Sequence, residues 1–418
     1  MSMKFPVVDY HAHPAFIPFK DFYPYDDAVI RTEIDAIDRL HAAFLASVTP
    51  SINDAENALC AMRVHMDAIA VHITTAGARI LVREWLGGTF QWVLDDLRYE
   101  YFRHVYSRKE YSSIHLTAEQ QQQLDTLRRD GMYLMQLDAG DYEEIRRVSE
   151  TFVPDLKRQV AASPAARAVY SPSRVSPLGR AITRAYKRAG VLDVLSEYKQ
   201  NRMRILGTGL EYSAASQVWH SGLYADANLT DGPLSYLHND EADHLPKSML
   251  YVTPVTELTG PTQLIPGSNG WERSEFVFRA HKGLDRVTVG RYARFAPGSE
   301  YRITVRDREL RRIFMQLPRV FQGSSHFGDD FLPQSEIARE LSARAFQFLP
   351  PNGAHALIFD GARTLHRGAL VKEGERVALQ TGFVNTSDGR VRKELAGGGP
   401  VRKLWRMARK LGRAALKG

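Results

Sequence analysis

Two histidines and an aspartate in this chain could bind one metal ion. His238 and Asp240 flank Asn239 in the stretch LSYLHNDEADHLPKSMLYVTPV. In an extended chain, residues two apart point to the same side, so this imidazole and this carboxylate can reach the same ion. A third candidate ligand, His366, follows the apolar run Ala356 to Phe359, which is typical of a buried strand. Two histidines and one carboxylate that leave open positions are typical of non-haem Fe(II) oxygenases.

Further features accompany these three residues. Asp240 is followed by a strand-like run, a Gly-Pro pair and the turn Ile265 to Ser268, and Arg376 stands ten residues after His366. This combination resembles the phytanoyl-CoA dioxygenase (PhyH) family of Fe(II)/2-oxoglutarate-dependent oxygenases. The combination is specific, whereas a His-x-Asp pattern alone is weak.

The resemblance implies roles for several side chains. His238, Asp240 and His366 would hold Fe(II), which would also bind 2-oxoglutarate and O2. Arg376 would pair with the remote carboxylate of 2-oxoglutarate, and Lys247 and Gln380 would lie at the same cosubstrate.

Two positions refine this comparison. Relatives that halogenate carry a small residue in place of Asp240, so the aspartate favours hydroxylation or a related oxidation. Gly368 departs from the family pattern, because some relatives have a hydroxyl residue two positions after the distal histidine.

The candidate site residues also have plainer interpretations. Lys247 could be a surface lysine at the start of a strand, and Arg376 could be a surface arginine beside a hairpin turn at 372–375. The neighbours Glu241, Asp243 and His244 could replace one of the ligands, or they could lie in a solvated loop.

Two other patterns imitate metal sites. His11 and His13 resemble the opening His-x-His of metal-dependent amidohydrolases, but that fold needs eight βα repeats and the residues that follow are helical in pattern. His65 and Asp67 repeat the His-x-Asp spacing within a helical stripe, where positions two apart diverge by about 200°. Neither pattern predicts a metal site.

The resemblance implies an α+β protein with a mainly β core, a double-stranded β-helix of the jelly-roll or cupin-like type with flanking helices. It covers about residues 131–390 and is dense only at 234–269 and 355–384. A capping box at Thr117 to Gln120 opens a helix that Gly131 ends, just before this domain begins.

Residues 1–125 predict a mainly helical N-terminal extension. Capping candidates at Ser51 and Asp54 precede an apolar stripe spaced by three and four residues. The stripe comprises Leu59, Met62, Met66, Ile69 and Ile73.

Asp240 and His366 are separated by a longer segment than most of the family shows. The excess falls at 271–350 and predicts an insertion or lid over the barrel mouth. Its arginines alternate with apolar residues, which predicts strands with a polar face. They could serve an anionic substrate or ordinary surface ion pairs. The arginines are Arg273, Arg279, Arg291, Arg294, Arg302 and Arg306.

The net charge of +7 is concentrated at one end of the chain. From Arg390 onward there are ten Lys or Arg and one Glu, a local +9, which leaves −2 for the rest. The tail 391–418 is basic, and 400–418 has the pattern of an amphipathic helix that could lie on an anionic membrane surface. A solubilising tail, or a helix docked on its own domain, explains the pattern equally well. The rest of the sequence contains no nucleic-acid-binding motif, so no nucleic-acid partner is expected.

The compartment follows from other features. Cys60 is the single cysteine among 418 residues, so no internal disulfide can form and a reducing compartment is expected. The sequence shows neither an apolar signal region nor an uninterrupted spanning run. These features predict a cytoplasmic protein, with peripheral contact to the inner membrane face through its tail as an option.

The predicted function is an Fe(II)- and 2-oxoglutarate-dependent dioxygenase. It would hydroxylate or otherwise oxidise a C–H bond of a small organic substrate and release succinate and CO2. The alternative is a non-catalytic binding protein on the same fold, recruited to anionic membranes by its basic tail.

Overall fold

The computed structural model describes residues 8–19, 25–162, 167–215, 237–240, 245–292, 308–326, 335–350, 353–368 and 371–397. The amphipathic pattern at 400–418 lies outside these ranges, as do Glu241, Asp243 and His244. None of the described helices is both long enough and apolar enough to cross a bilayer.

Three long helices form the first part of the chain: α1 (Asp27–Ala46), α2 (Ile52–Thr75) and α3 (Ile80–Glu110). Helix α2 begins at a capping box in which Ser51 and Asp54 satisfy each other's backbone N–H groups. All five apolar residues of the predicted stripe are buried on α2. The predicted cap and the predicted buried face of this helix are therefore confirmed.

The next helix leads into the first strand. Helix α4 (Ala118–Asp130) starts at the predicted capping box of Thr117 and Gln120. It ends at Gly131, whose φ of 73° is left-handed. Strand β1 (Met132–Gln136) follows at once. A Cβ on Gly131 would lie 2.0 Å from Oγ1 of Thr364, so the glycine permits close contact with the loop before His366.

A helical layer then covers one face of the larger sheet. It contains α5 (Ala139–Glu150), α6 (Val153–Ala161), α7 (Pro177–Arg188) and α8 (Val191–Lys199), with the short strand β2 (Arg167–Tyr170) between α6 and α7. Pro154 lies in the first turn of α6, a position that suits proline because its missing N–H has no partner in a helix there.

Six antiparallel strands form the larger described sheet: β1, β2, β3 (Met203–Ala214), β4 (Lys247–Tyr251), β7 (His355–Phe359) and β9 (Glu375–Asn385). They lie in the order β1, β7, β4, β9, β3, β2. Strand side chains alternate between faces. Val377, Leu379 and Phe383 of β9 pack toward the helical layer, whereas Ala378 packs toward the second sheet.

The second described sheet has three antiparallel strands, β5 (Thr262–Leu264), β6 (Phe346–Gln347) and β8 (His366–Gly368). An apolar cluster with members from both sheets lies between them. The structure is therefore a mixture of helices and antiparallel sheets. Closure into a double-stranded β-helix stays a prediction.

The segment 271–350 is mainly helical where the structure describes it, although the two-residue strand β6 also lies within it, so the prediction of strands was wrong for its helical part. It contains α9 (Glu275–Tyr292), α10 (Arg308–Phe314) and α11 (Glu336–Arg344). The apolar residues Phe276, Ala280 and Leu284 recur every four residues and pack with α1, α2 and α3 in one core. This spacing is that of a helix, as α9 shows. Arg279 therefore lies on a helix and not on a strand. Arg294, Arg302 and Arg306 fall outside the described residues.

The last described helix, α12 (Asp388–Gly397), follows β9. Its Val391 joins the same core as the N-terminal helices. The helices on both sides of the β strands in sequence thus form one packed unit with α9.

Candidate metal centre

His238, Asp240 and His366 meet at one point. Nε2 of His238 lies 3.8 Å from Oδ1 of Asp240, and Nε2 of His366 lies 3.6 Å from Oδ2. One ligand atom from each residue falls within 4.8 Å of the other two. Ligands about 2.1 Å from an ion and at right angles to each other are about 3 Å apart, so a small closing movement would complete the set.

Backbone hydrogen bonds hold the three residues in place. The N–H of His238 donates to the carbonyl of His366 at 2.9 Å, and the N–H of His366 donates back at 3.0 Å. The N–H of Asp240 donates to the carbonyl of Gly361 at 2.8 Å. The strand-like arrangement of 238–240 therefore directs the His238 and Asp240 side chains to one side, as the sequence predicts.

The orientation of the His366 ring is fixed by its own loop. Nδ1 of His366 lies 3.0 Å from the carbonyl oxygen of Thr364. A carbonyl only accepts, so the proton is on Nδ1 and Nε2 carries the lone pair. The Phe359 ring lies 5.0 Å from the His366 ring, centroid to centroid. Burial lowers the pKa of His366, and the Asp240 carboxylate offsets this only in part, which favours the neutral imidazole that a metal requires.

Asp240 is ionised in this environment. Burial alone would raise the pKa of its carboxyl, but the attraction of His366, Lys247 and His238 outweighs burial and lowers the pKa well below its usual value. Nζ of Lys247 donates to Oδ1 of Asp240 at 2.7 Å. Lys247 therefore holds one carboxylate oxygen.

The second oxygen tests whether a metal ion fits here. Oδ2 of Asp240 is buried, and no hydrogen-bond donor among the described residues reaches it. A buried anionic oxygen without a donor is costly unless something positive approaches it. Oδ2 faces Nε2 of His366, so a cation bound by both atoms would satisfy it. The donor set of two imidazoles and one carboxylate is the one that suits non-haem iron.

The loop between β7 and β8 positions two of the three candidate ligands and is anchored from several sides. Asp360 at its start is buried and accepts hydrogen bonds from Tyr198 at 2.9 Å and Lys199 at 2.6 Å, both on α8. Arg363 pairs with Glu275 of α9 at 2.5 Å. Nζ of Lys282, also on α9, donates to the carbonyl of Ala362 at 3.2 Å.

Arg376 lies on the same face of β9 as Ala378, which packs toward the second sheet. It is 5% exposed, so the alternative of a surface arginine was wrong. Its guanidinium donates to the carbonyl of Gly260 and, at 3.2 Å, to Oε1 of Glu211 on β3. Glu211 also accepts from the hydroxyl of Ser213 at 3.0 Å. The sequence did not point to Glu211, because its pairing with Arg376 requires the register of β3 and β9.

Gln380 and Lys247 occupy the same interior face. Gln380 is four residues from Arg376 on β9, so the two side chains point to the same side. Met249 pairs with Gln380, and Lys247 pairs with Gly382. The observed partner of Lys247 is the Asp240 carboxylate, which places it at the candidate metal ligand. Its predicted contact with a cosubstrate stays a prediction.

The structure adds a third histidine that the sequence reasoning missed. His326 is 3% exposed, and its ring lies parallel to that of His238, with centroids 5.1 Å apart and 9° between the planes. The backbones of the two residues also form an antiparallel bridge. No local sequence pattern around Ser324-Ser325-His326 predicts that His326 lies beside His238, because this contact depends on how the segment after α9 folds back.

Residues of the two imitating patterns have other partners. His65 on α2 pairs with Glu33 at 2.6 Å, and Asp67 pairs with Arg63 instead. His11 lies 3.0 Å from the Gln322 side chain. Within the ranges that the structure describes, the only cluster of three potential metal ligands is the one at His238, Asp240 and His366.

Comparison with known proteins gives similarity only at the level of solved structures. No family model and no curated protein matches the chain. The alpha-ketoglutarate-dependent epimerase SnoN from nogalamycin biosynthesis is 13% identical, with 64% of this chain and 81% of that chain covered and a TM-score of 0.35.

Two further solved structures are similar to the same degree. EctD from S. alaskensis in its apo form is 12% identical, with 66% and 81% of the two chains covered and a TM-score of 0.35. AviO1 from Streptomyces viridochromogenes Tue57 is 9% identical, with 65% and 98% covered and a TM-score of 0.35. Similarity this distant does not bear on chemistry, which rests on the geometry of the chain's own side chains.

Proposed function

We propose that this chain is an Fe(II)- and 2-oxoglutarate-dependent oxygenase that hydroxylates, or otherwise oxidises, a C–H bond of a small organic substrate. One observation carries the proposal: two imidazoles and one ionised carboxylate converge, and the buried carboxylate oxygen has no hydrogen-bond donor among the described residues. A facial set of this composition leaves coordination positions open.

His238, Asp240 and His366 would hold the iron. When bound, Fe(II) would bring 2-oxoglutarate and O2 together, so that one oxygen atom enters the substrate and the other enters succinate as CO2 leaves. Lys247 would keep Oδ1 of Asp240 occupied and leave Oδ2 for the metal, which favours binding through one oxygen. Thr364 would keep Nε2 of His366 directed at the ion.

Arg376 would bind the remote carboxylate of 2-oxoglutarate. Its guanidinium is buried, where a charge-assisted pair with a carboxylate is strong, and its planar shape suits a carboxylate. Glu211 already pairs with it, so the cosubstrate would share or replace that partner. Gln380 on the same face of β9 would line the cavity between Arg376 and the metal.

An apolar cluster lies beside the centre. Phe359 contacts His366 and belongs to the apolar cluster between the sheets. The cluster also contains Met132, Met249, Tyr251, Leu264, Phe348, Leu357 and Ala378. An apolar environment strengthens the electrostatic interactions of the charged residues beside it, because its dielectric constant is low.

The test is anaerobic reconstitution with Fe(II), followed by measurement of O2 uptake and succinate release with 2-oxoglutarate. We expect slow succinate release even without a substrate, and its loss in His366→Ala. The matched control is His65→Ala, which removes a part-buried histidine on α2, far in sequence from the centre. Succinate release that is equal in wild type and His366→Ala would refute the proposal. Metal binding without any succinate release would instead favour the non-catalytic binding protein.

A further inference from the structure

We propose that His326 is a positioning residue for His238, and that Asp285 on α9 fixes His326 through Ser325. The inference rests on the proposed function only in requiring that the triad bind a divalent metal. It makes part of the segment 271–350 an integral element of the metal centre.

The first observation concerns the backbone. The chain at 238–240 contacts two elements, one on each side. His238 forms antiparallel bridges with both His366 and His326. The N–H of Asn239 donates to the carbonyl of Ser325 at 3.0 Å. The segment that supplies two of the candidate ligands is therefore held between β8 and the Ser325–His326 segment.

The second observation concerns the two rings. The His326 ring lies parallel to the His238 ring at 5.1 Å and is buried, so it limits the rotation of the His238 imidazole on that side. On its other side, the His238 ring lies 4.3 Å from the His366 ring, centroid to centroid. The His238 plane is thus confined between another candidate ligand and His326.

The third observation is what fixes His326 itself. The hydroxyl of Ser325 lies 2.8 Å from Oδ2 of Asp285 and 2.9 Å from Nδ1 of His326. The carboxylate accepts the hydroxyl proton of Ser325, so the serine oxygen accepts from the protonated Nδ1. The N–H of Ser325 also donates to Oδ2 of Asp285 at 2.8 Å. The hydrogen-bonded chain therefore runs from His326 through Ser325 to Asp285 and orients the ring.

The last step concerns where Asp285 lies. It is on α9, next to Leu284, which packs in the core shared with α1, α2 and α3. Residues that orient a ligand in this way commonly change metal affinity when they are mutated. The helical unit formed by α1, α2, α3 and α9 thus has a direct structural connection to the metal centre.

Neighbouring serines provide a matched test. Ser324 and Ser325 both lie in hydrogen-bond reach of Asp285, and the Ser324 hydroxyl also contacts the backbone N–H and carbonyl of His326, but only the Ser325 hydroxyl contacts the His326 ring. Full-length Ser325→Ala and Ser324→Ala would each be titrated with Co(II) as the probe, and the affinity and the ligand-field absorption of bound Co(II) would be recorded. We expect an affinity loss of about 10-fold and an altered spectrum for Ser325→Ala, and less than about a twofold change for Ser324→Ala.

His326→Ala is expected to give a loss of the same kind or larger. Circular dichroism and thermal melting establish whether each variant folds, and Ser325→Ala decides the question if His326→Ala does not fold. Folded Ser325→Ala with wild-type affinity and spectrum would overturn the proposal, as would an equal effect of Ser324→Ala.

The two proposals fail separately. If wild type binds Co(II) and the serine variants differ as expected, the positioning role holds whether or not the Fe(II) form releases succinate. If succinate is released and the serine variants are indistinguishable, the positioning role alone is lost. A wild-type protein that binds no Co(II) would overturn both proposals.

Discussion

A Cβ on Gly361 would lie 2.1 Å from Oδ2 of Asp240. The carbonyl of Gly361 also accepts the N–H of Asp240 at 2.8 Å. The same Cβ would lie 3.1 Å from the His366 ring. The backbone of Gly361 can therefore approach the Asp240 carboxylate this closely because glycine has no side chain.

Gly361→Ala should displace the Asp240 carboxylate from the point where the three candidate ligands meet. We expect Co(II) affinity to fall by about 10- to 100-fold. The loss of unfolding free energy should stay small, because the methyl group meets the end of a side chain that can move. Isothermal titration with Co(II) measures the affinity, and urea unfolding measures the stability.

Gly368→Ala is the matched control for that variant. A Cβ at Gly368, on the same strand as His366, has no neighbour within 4 Å among the residues that the structure describes. Its Co(II) affinity should equal that of wild type. A Gly361→Ala protein that binds Co(II) as tightly as Gly368→Ala would contradict the geometry described for Asp240.

Glu275 predicts a pH dependence of stability. Burial alone would raise the pKa of its carboxyl, but Arg363, Arg273 and Arg279 outweigh burial and lower the pKa to about 2. The folded pKa lies below the unfolded value of 4.5, so the stabilisation is complete above pH 4.5 and is lost as pH falls toward 2. The shift corresponds to at most about 3 kcal/mol of unfolding free energy.

Glu275→Gln should therefore destabilise the protein at pH 7, and the difference from wild type should shrink as pH falls below 4.5. Urea unfolding at a series of pH values measures this. Glu340→Gln, which breaks an exposed pair with Arg344 on α11, should change stability by less than about 1 kcal/mol. A Glu275→Gln deficit that is constant with pH would show that the carboxylate charge is not its source.

The Glu211 and Arg376 pair predicts opposite effects on cosubstrate binding. Glu211→Gln keeps a hydrogen-bond acceptor for Arg376 but removes the negative charge that competes with the remote carboxylate of 2-oxoglutarate. We expect the dissociation constant for 2-oxoglutarate to fall severalfold in Glu211→Gln and to rise at least about 10-fold in Arg376→Met. Titration of the anaerobic Fe(II) protein with 2-oxoglutarate gives both values.

If Arg376 binds the remote carboxylate, Arg376→Met should weaken the binding of succinate and of 2-oxoglutarate alike, because both ligands are dicarboxylates. Pyruvate, which lacks that carboxylate, serves as the control ligand and should bind equally to wild type and Arg376→Met. If Arg376→Met weakens the binding of pyruvate and of 2-oxoglutarate to the same extent, the role of Arg376 is structural.

The basic tail gives a prediction from sequence pattern alone. Residues 400–418 should carry the protein to vesicles that contain anionic lipid, with less binding at high salt. Sedimentation of the full chain and of a chain ending at 399, with anionic and neutral vesicles, measures this. Equal sedimentation of the two chains with anionic vesicles would reject a membrane role for the tail.

Local features of this protein are predictable from its amino-acid sequence. The capping boxes at Ser51 and Thr117, the left-handed Gly131 and the strands at β7 and β9 follow from propensity, capping and alternation, which act within a few residues. The three candidate ligands were also predictable, because an ion constrains residue type and spacing tightly. The arginine-rich segment was predicted wrongly, because its alternating apolar residues suggested strands. Its apolar residues also recur every four positions, and this helical period is the one found in α9.

The contacts around the candidate ligands are not predictable in this way, because they depend on the packing of distant elements. Glu211 reaches Arg376 through strand register, Lys247 at the start of β4 reaches Asp240, and His326 reaches His238 because α9 packs on the N-terminal helices. Each of these contacts joins residues whose neighbours in sequence carry no common pattern. Their positions depend on how whole elements pack, because burial and close packing act across the molecule and leave little trace in any short stretch of chain.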